Sequence, residues 1–156
     1  MDDVEIRYGA PVDQPAFLDV LRAIRDELGD GQAEYGALED MAHLLCSPIG
    51  EGLRHHWLLL AEIKGSMVGF CVMHRIPVPI LGGTEGYISD LFVRADARGH
   101  DVGHRLLERA EEISRVEGFL RLHVINYRER ESHKREFYPK LGFQEREDTA
   151  DFVLPF

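Results

Sequence analysis

Residues 87–107 read YISDLFVRADARGHDVGHRLL. Residues 87–93 have the apolar and β-branched content of a strand. A short loop follows with Arg98, Gly99 and Gly103, and the spacing of Val102, Leu106, Ala110 and Ile113 predicts the buried stripe of a helix. Glu111 and Arg115 fall four apart on its outer face, and Gly118 ends it. Residues 119–125 return to strand composition. A strand, a helix and a second strand in this order form a crossover, which makes the two strands parallel neighbours in one sheet.

The chemistry of this stretch is that of an anion site. A helix N-terminus presents backbone N–H groups with no partner one turn back, and glycines let a ligand approach them closely. Arg94, Arg98, His100, His104 and Arg105 surround it, a basic cluster in a chain whose net charge is −10. The alternative is a glycine-eased turn bearing solvated arginines. Two phosphate-binding signatures are absent: no G-x-G-x-x-G follows the strand, and no Gly-Lys-Ser/Thr opens the helix.

Upstream, residues 4–8 alternate as a first strand. Asp13 is placed to cap a helix carrying Phe17, Val20, Leu21, Ile24 and Leu28, which Gly29 or Gly31 stops. An acidic stretch, 30–40, leads to a second helix with Leu38, Met41, Leu44 and Leu45, closed at Ser47-Pro48. Residues 57–61 and 67–73 flank the turn Lys64-Gly65-Ser66 as a hairpin. Pro77, Pro79, Gly82, Gly83 and Gly86 mark residues 76–86 as a loop. Downstream, residues 129–140 read as a fourth helix, and Gly142-Phe143 opens final strands running through 151–154. The expected fold is α/β and a single domain, 1–156. Its mixed twisted sheet has six to seven strands flanked by four helices, in the order β-α-α-β-β-β-α-β-α-β-β.

The 156 residues suit one ordinary domain, and a hydrophobic fraction of 44% beside 29% charge is globular rather than disordered. No apolar run approaches the ~20 residues of a membrane span. The chain opens Met1-Asp2-Asp3, acidic where a secretion signal is basic, and its two cysteines, Cys46 and Cys71, make no disulfide framework. A cytoplasmic location is expected. An excess of acid over base argues against nucleic-acid binding and suits a cationic substrate. Among eight histidines, His100 and His104 stand four apart and His55-His56 are adjacent, with no third residue at metal-ligand spacing. No metal is expected.

Two motifs now bring a family into view. Asp90-Leu91-Phe92-Val93 followed by Arg98-Gly99-His100-Asp101-Val102-Gly103 is one; Asn126 followed by Phe137-Tyr138-Pro139-Lys140-Leu141-Gly142-Phe143 is the other. Together and in this order they resemble the GNAT superfamily of N-acetyltransferases, whose cofactor motif is Arg/Gln-x-x-Gly-x-Gly/Ala. The element order matches over nearly the whole chain. One position departs: Asp101 stands where the family motif has its first glycine. Its amide can still donate if the carboxylate turns outward or caps the helix.

The resemblance implies a GNAT-like fold and an acetyl-CoA-dependent N-acetyltransferase. Pantetheine would lie where the two parallel strands splay, on backbone groups of Leu91, Phe92 and Val93. The diphosphate would meet the amides of Arg98, Gly99, His100, Asp101, Val102, Gly103 and His104, and Asn126 belongs to the same site. A backbone N–H near Leu91 would stabilise the oxyanion, and Tyr138 would serve the departing thiolate. For the base, Ser89 occupies the place where some members have Glu, leaving Asp90 and Glu85. Strand alternation would set Tyr87, Ser89, Leu91 and Val93 on one face and Asp90 on the other. Arg128, Arg130, Lys134 and Arg135 would either reach the 3′-phosphate or coat a surface helix.

The implied reaction is direct attack by a primary amine in a ternary complex. Asp26, Glu27, Asp30, Glu34, Glu39 and Asp40 on the first two helices favour a small cationic acceptor, with a peptide N-terminus or lysine as the other class. Two readings compete. One is an acyl-CoA-binding module with weak or no turnover; the other is an interaction domain that uses an open sheet edge, such as a homodimer.

Overall fold

The computed structural model describes residues 3–28, 37–47 and 53–154. The expected stop at Gly29 or Gly31, Pro48, and the acidic Asp30 and Glu34 lie outside the described residues. The chain divides into two compact units, Met1–Val124 and Ile125–Phe156.

In the first unit, β1 (Val4–Tyr8), α1 (Gln14–Leu28), α2 (Leu38–Cys46), β2 (His56–Ile63), β3 (Ser66–Val78), β4 (Gly83–Val93), α3 (Val102–Val116) and β5 (Leu122–Val124) follow in chain order. The five strands form one sheet in sequence order, β1-β2-β3-β4-β5. The first four pair antiparallel, and β4 pairs β5 parallel, as the crossover requires.

One face of the sheet is closed by α1 and α2. Phe17, Ala42 and Cys46 pack with Leu58, Leu60, Phe70 and Val72, and Phe17 meets the edge of Phe70 at 5.0 Å. The expected stripe on α3 covers the opposite face: Val102, Leu106, Ala110 and Ile113 are all buried, and Arg115 pairs with Glu111 at 2.5 Å. Cys71 lies fully buried in β3, which pushes its thiol up to about 12 and leaves it an apolar filler.

Gly69 sets the distance between α3 and the sheet. A Cβ there would lie 2.7 Å from the carbonyl oxygen of Phe92 and 3.3 Å from Val102. Backbone cannot swing aside as a side-chain tip can. Gly69→Ala is therefore expected to lose about 1–3 kcal/mol in equilibrium urea unfolding.

Four expectations need correction, the last of them in the second unit. Residues 76–86 are not a loop: β3 runs on to Val78 and β4 starts at Gly83, with a 3-10 turn, Pro79–Leu81, between them. The last β2–β3 rung is His56↔His74 and the Arg75 N–H still bonds to His55, so among the described residues β3 has one open edge beyond Arg75, and Pro77 sacrifices no ladder bond there. Asp13 does not cap α1 but ends a 3-10 turn, Pro11–Asp13, accepting the Ala10 N–H at 2.8 Å. The sheet has five strands rather than six or seven among the described residues. Residues 151–154 form no ladder, and Phe152, Val153 and Leu154 are exposed.

In the second unit the fourth helix is two single turns, α4 (Glu131–Lys134) and α5 (Phe137–Lys140). Pro139 is the cause. Its ring would collide with the carbonyl of Arg135 in a continuous helix. The chain breaks at Glu136 (φ 56°), Pro139 falls within the first turn of α5, and the Arg135 carbonyl accepts the Lys140 ammonium at 2.7 Å. No described helix is long and apolar enough to cross a membrane.

Candidate active site

The decisive geometry is in β4. Its parallel rungs with β5 are Gly86↔Leu122, Tyr87↔His123 and Ile88↔Val124, and they stop there. Residues 89–93 of β4 thus have no strand on that edge among the described residues. Arg94 donates its N–H to Val68 on β3 at 2.8 Å. Because backbone groups alternate along a strand, the amides of Leu91 and Val93 turn to the opposite, open edge. Arg98 reaches round to that edge, its Nε donating to the Val93 carbonyl at 3.0 Å. Phe92 does not belong to the open edge: its backbone faces β3, and its ring packs 5.9 Å from Phe70.

A β-bulge lies at the point where the pairing stops. Val72 pairs Asp90 and the next residue, Met73, pairs Ile88, so Ser89 is an inserted residue on β4. The insertion reverses the simple alternation. Asp90 shares the α1/α2 face with Tyr87 and Phe92, while Leu91 and Val93 share the α3 face with Ile88. The Ser89 hydroxyl donates to Asp90 Oδ2 at 2.7 Å, and His74 Nε2 lies 2.8 Å from Ser89 Oγ. His74 stands opposite Tyr87, whose ring meets His123 at 5.6 Å, so three rings cross β3, β4 and β5 in a row. Burial holds His74 below the ordinary histidine range, an effect the Asp90 charge partly offsets.

Glu85, the other carboxylate expected near the chemistry, is only 7% exposed. It accepts from Arg121 Nε at 2.5 Å and lies 3.6 Å from His123 Nδ1. That pairing clamps β4 to the segment leading into β5, which is a structural task. The contact of His74 with Ser89 leaves no mark in the residue pattern, because the bulge that creates it has none.

The loop after β4 enters α3 through two left-handed residues, Gly99 (φ 84°) and Asp101 (φ 64°). Arg98 is not a free backbone donor, since its N–H bonds to Ala95 at 3.3 Å. The helical ladder begins with the Arg105 N–H on the Asp101 carbonyl at 3.0 Å, so the amides of Val102, Gly103 and His104 have no carbonyl one turn back. The Asp101 carboxylate makes no capping bond. It turns outward to His104 Nδ1 at 3.1 Å, and His104 Nε2 lies 3.5 Å from Glu108. The space a Cβ would take at Gly99 is empty to 4 Å. Around the turn, Arg94 pairs with Asp96, Arg105 with Asp3, and His100 Nδ1 sits 3.3 Å from the Ala97 carbonyl. Arg98 has no ion pair among the described residues.

In the second unit, Tyr138 is half-buried on α5, its ring meeting the edges of Phe137 at 5.1 Å and Phe143 at 5.5 Å. The Asn126 side-chain carbonyl accepts from Ser132 Oγ at 3.0 Å. The basic residues nearby serve the surface. Arg128 pairs with Glu145, Lys134 with Glu131, and Arg130 and Arg135 lie over the rings of Tyr127 and Phe137.

Comparison with known proteins agrees with this geometry. No curated protein sequence matches the chain. Its fold is similar to a ribosomal-protein-alanine N-acetyltransferase from Brucella melitensis biovar Abortus 2308, with TM-score 0.75, 20% identity and 99% of both chains covered. It is also similar to an aminoglycoside acetyltransferase from an uncultured soil metagenomic sample, in complex with sisomicin, with TM-score 0.76 and 16% identity over 98% of this chain and 96% of that one. An acetyltransferase from Trypanosoma brucei gives TM-score 0.70 and 24% identity over 97% and 100%. The family model described as acetyltransferase (GNAT) matches residues 21–143, a span holding the open edge of β4, the turn into α3 and the Tyr138 segment. The chain belongs to the GNAT acetyltransferase family.

Proposed function

We propose that the protein transfers an acetyl group from acetyl-CoA to the primary amine of a small cationic acceptor, by direct attack in a ternary complex within a single domain. The observation that carries this is the freed edge of β4, with the amides of Leu91 and Val93 turned outward and the unladdered amides of Val102, Gly103 and His104 beyond the loop that follows it. An extended amide-bearing chain can bond to the first pair and a diphosphate to the second group. Empty space at Gly99 and an Arg98 without a carboxylate partner among the described residues fit an incoming phosphate.

This chain's groups divide the work. Backbone N–H at the bulge end of β4 stabilises the oxyanion that forms on the thioester carbonyl. Tyr138 donates to the departing sulfur, and Asn126 belongs to the cofactor side. Asp26, Glu27, Glu39 and Asp40 on α1 and α2 lend the acceptor side its negative charge. Such an acceptor is of the chemical kind that the aminoglycoside acetyltransferases use. A peptide N-terminus, suggested by the ribosomal-protein-alanine relative, is the other acceptor class.

The test is release of free CoA thiol from acetyl-CoA in a panel containing sisomicin, spermidine and an alanine-initiated peptide, alongside the acetyl-CoA thermal shift. Thiol release with sisomicin or spermidine and a raised Tm support the proposal. A raised Tm with no release for any amine would mark a binding module without turnover, and no shift at millimolar acetyl-CoA would remove the cofactor assignment.

The module reading has one observation in its favour, a carboxylate at the turn where the family has glycine. With the Asp101 side chain directed to His104, its charge remains near the phosphate path without blocking it. Asp101→Gly removes that charge and relieves a left-handed non-glycine residue. Acetyl-CoA should bind about 3–10-fold more tightly, by isothermal titration. Weaker binding would mean that the contact with His104 holds the turn in shape.

A further inference from the structure

We propose that His74 is the residue that takes the proton from the acceptor's ammonium group, with Ser89 and Asp90 positioning its ring. The proposal rests on the acetyl-transfer reading above and adds to it a residue on the neighbouring strand, outside both sequence motifs.

Hydrogen counting fixes the arrangement. The Ser89 hydroxyl has one proton, and it is given to the Asp90 carboxylate. Ser89 Oγ is therefore the acceptor in its 2.8 Å contact with His74, and Nε2 carries the imidazole proton. Nδ1 is left as the basic nitrogen. Burial disfavours the imidazolium and keeps the ring neutral near neutral pH, ready to accept. When Nδ1 gains a proton, the Asp90 charge stabilises the cation through the Ser89 hydroxyl.

The groups facing His74 support this assignment. On β2 its partner is His56, whose imidazolium is disfavoured first by burial and then by its cationic surroundings, so it supplies no negative charge to the pair. On β4 the neighbours are Tyr87, Ser89 and Asp90, and His123 on β5 lies beyond Tyr87. Asp90 is the carboxylate linked to the ring. Glu85 is occupied by Arg121 and His123. The bulge is what makes the link possible, since it moves Ser89 out of the ladder and turns Asp90 to the same face as His74.

The step balances. One N–H bond of the acceptor ammonium breaks, its proton goes to Nδ1, and the electron pair stays on nitrogen. That pair forms the C–N bond at the thioester carbon. The C–S bond breaks with its electrons on sulfur, which takes the Tyr138 hydroxyl proton, and the second amine proton restores that hydroxyl. His74 then returns its proton to solvent.

The experiment measures kcat/KM against pH with sisomicin, spermidine and the alanine-initiated peptide, for the wild type and for His74→Gln, Asp90→Asn and Ser89→Ala. Acetyl-CoA thermal shifts are recorded for each. The wild type should show an acid limb below neutral pH. His74→Gln should keep the thermal shift, lose that limb and fall about 10²-fold at pH 7. Asp90→Asn should retain part of the activity with the limb moved to lower pH, because removing the carboxylate lowers the imidazole's proton affinity; a merely structural role for Asp90 would lower the rate without moving the limb. Ser89→Ala should move it the same way. A His74→Gln enzyme with full activity and an unchanged limb overturns the proposal alone. A limb that survives in His74→Gln and vanishes in Asp90→Asn gives the proton to Asp90 instead. Absence of thiol release from the wild type with every amine overturns the acetyl-transfer reading, and this assignment with it.

Discussion

Tyr138→Phe is expected to bind acetyl-CoA as the wild type does and to turn over about 10²-fold more slowly, the usual worth of one positioned proton donor. That loss is equivalent to about 2.7 kcal/mol of barrier. The substitution keeps the ring in place because the ring is held by its neighbours. Edge contacts with Phe137 and Phe143 depend on the aromatic face and rim, which phenylalanine keeps. The backbone frame is also independent of the hydroxyl: the Tyr138 carbonyl accepts from Leu141 at 3.0 Å and Phe143 at 3.1 Å. The loss should therefore fall on kcat, with KM for acetyl-CoA little changed. Unchanged kcat in a steady-state thiol-release assay would remove Tyr138 from the mechanism.

Asp13→Ala is expected to cause the largest loss of stability, about 2–4 kcal/mol, or roughly 4–16 °C in Tm. Asp13 is 7% exposed and takes both terminal nitrogens of Arg7, at 2.7 and 2.8 Å. Arg7 also donates to Glu62 at 2.5 Å, so the guanidinium ties β1 to β2 and to the turn that starts α1. Removing the carboxylate leaves the arginine only Glu62 and the Tyr8 carbonyl, and the Ala10 N–H no partner from this side chain. The same pairing makes stability depend on pH. The Arg7 hydrogen bonds hold the Asp13 carboxyl below its ordinary value, outweighing burial. A depressed carboxyl contributes in full above the unfolded value of about 3.9 and loses its contribution as pH falls through the folded value. Thermal melts at successively lower pH should thus decline less steeply in Asp13→Asn than in the wild type from about pH 5 downward. An equal decline would show that other carboxylates govern acid unfolding.

Much of the architecture is legible from residue patterns, for a physical reason. The strand, turn and helix at 87–107 each have a local cause: β-branched content, glycines at the turn, and an apolar stripe of period 3.6. Burial of Val102, Leu106, Ala110 and Ile113 follows directly. Context defeats the pattern elsewhere. Pro77 and the glycines at 82, 83 and 86 look like loop chemistry, yet an open strand edge tolerates Pro77, and Gly86 faces Leu122 and Phe119 at close quarters. Pro139 carried a readable signal, because a proline cannot sit deep in a helix extending from residue 129. At the site, backbone alternation explains Leu91 and Val93, whereas the bulge at Ser89 could not be read. A period of two has no means of announcing an inserted residue, and so it sets Tyr87 beside Leu91 and Val93 rather than on the face of Asp90.

The sequence-ordered sheet has a kinetic corollary. Each antiparallel neighbour from β2 to β4 is joined by a hairpin, so these contacts close small loops and can assemble early. The parallel rungs between β4 and β5 are different: they must wait until the 15 residues of α3 have wound and crossed over. Only three rungs then reward that wait. The border from which β4 parts company with β5 accordingly assembles after the hairpins and frays before them, and backbone amide exchange should quicken there while the hairpins stay protected.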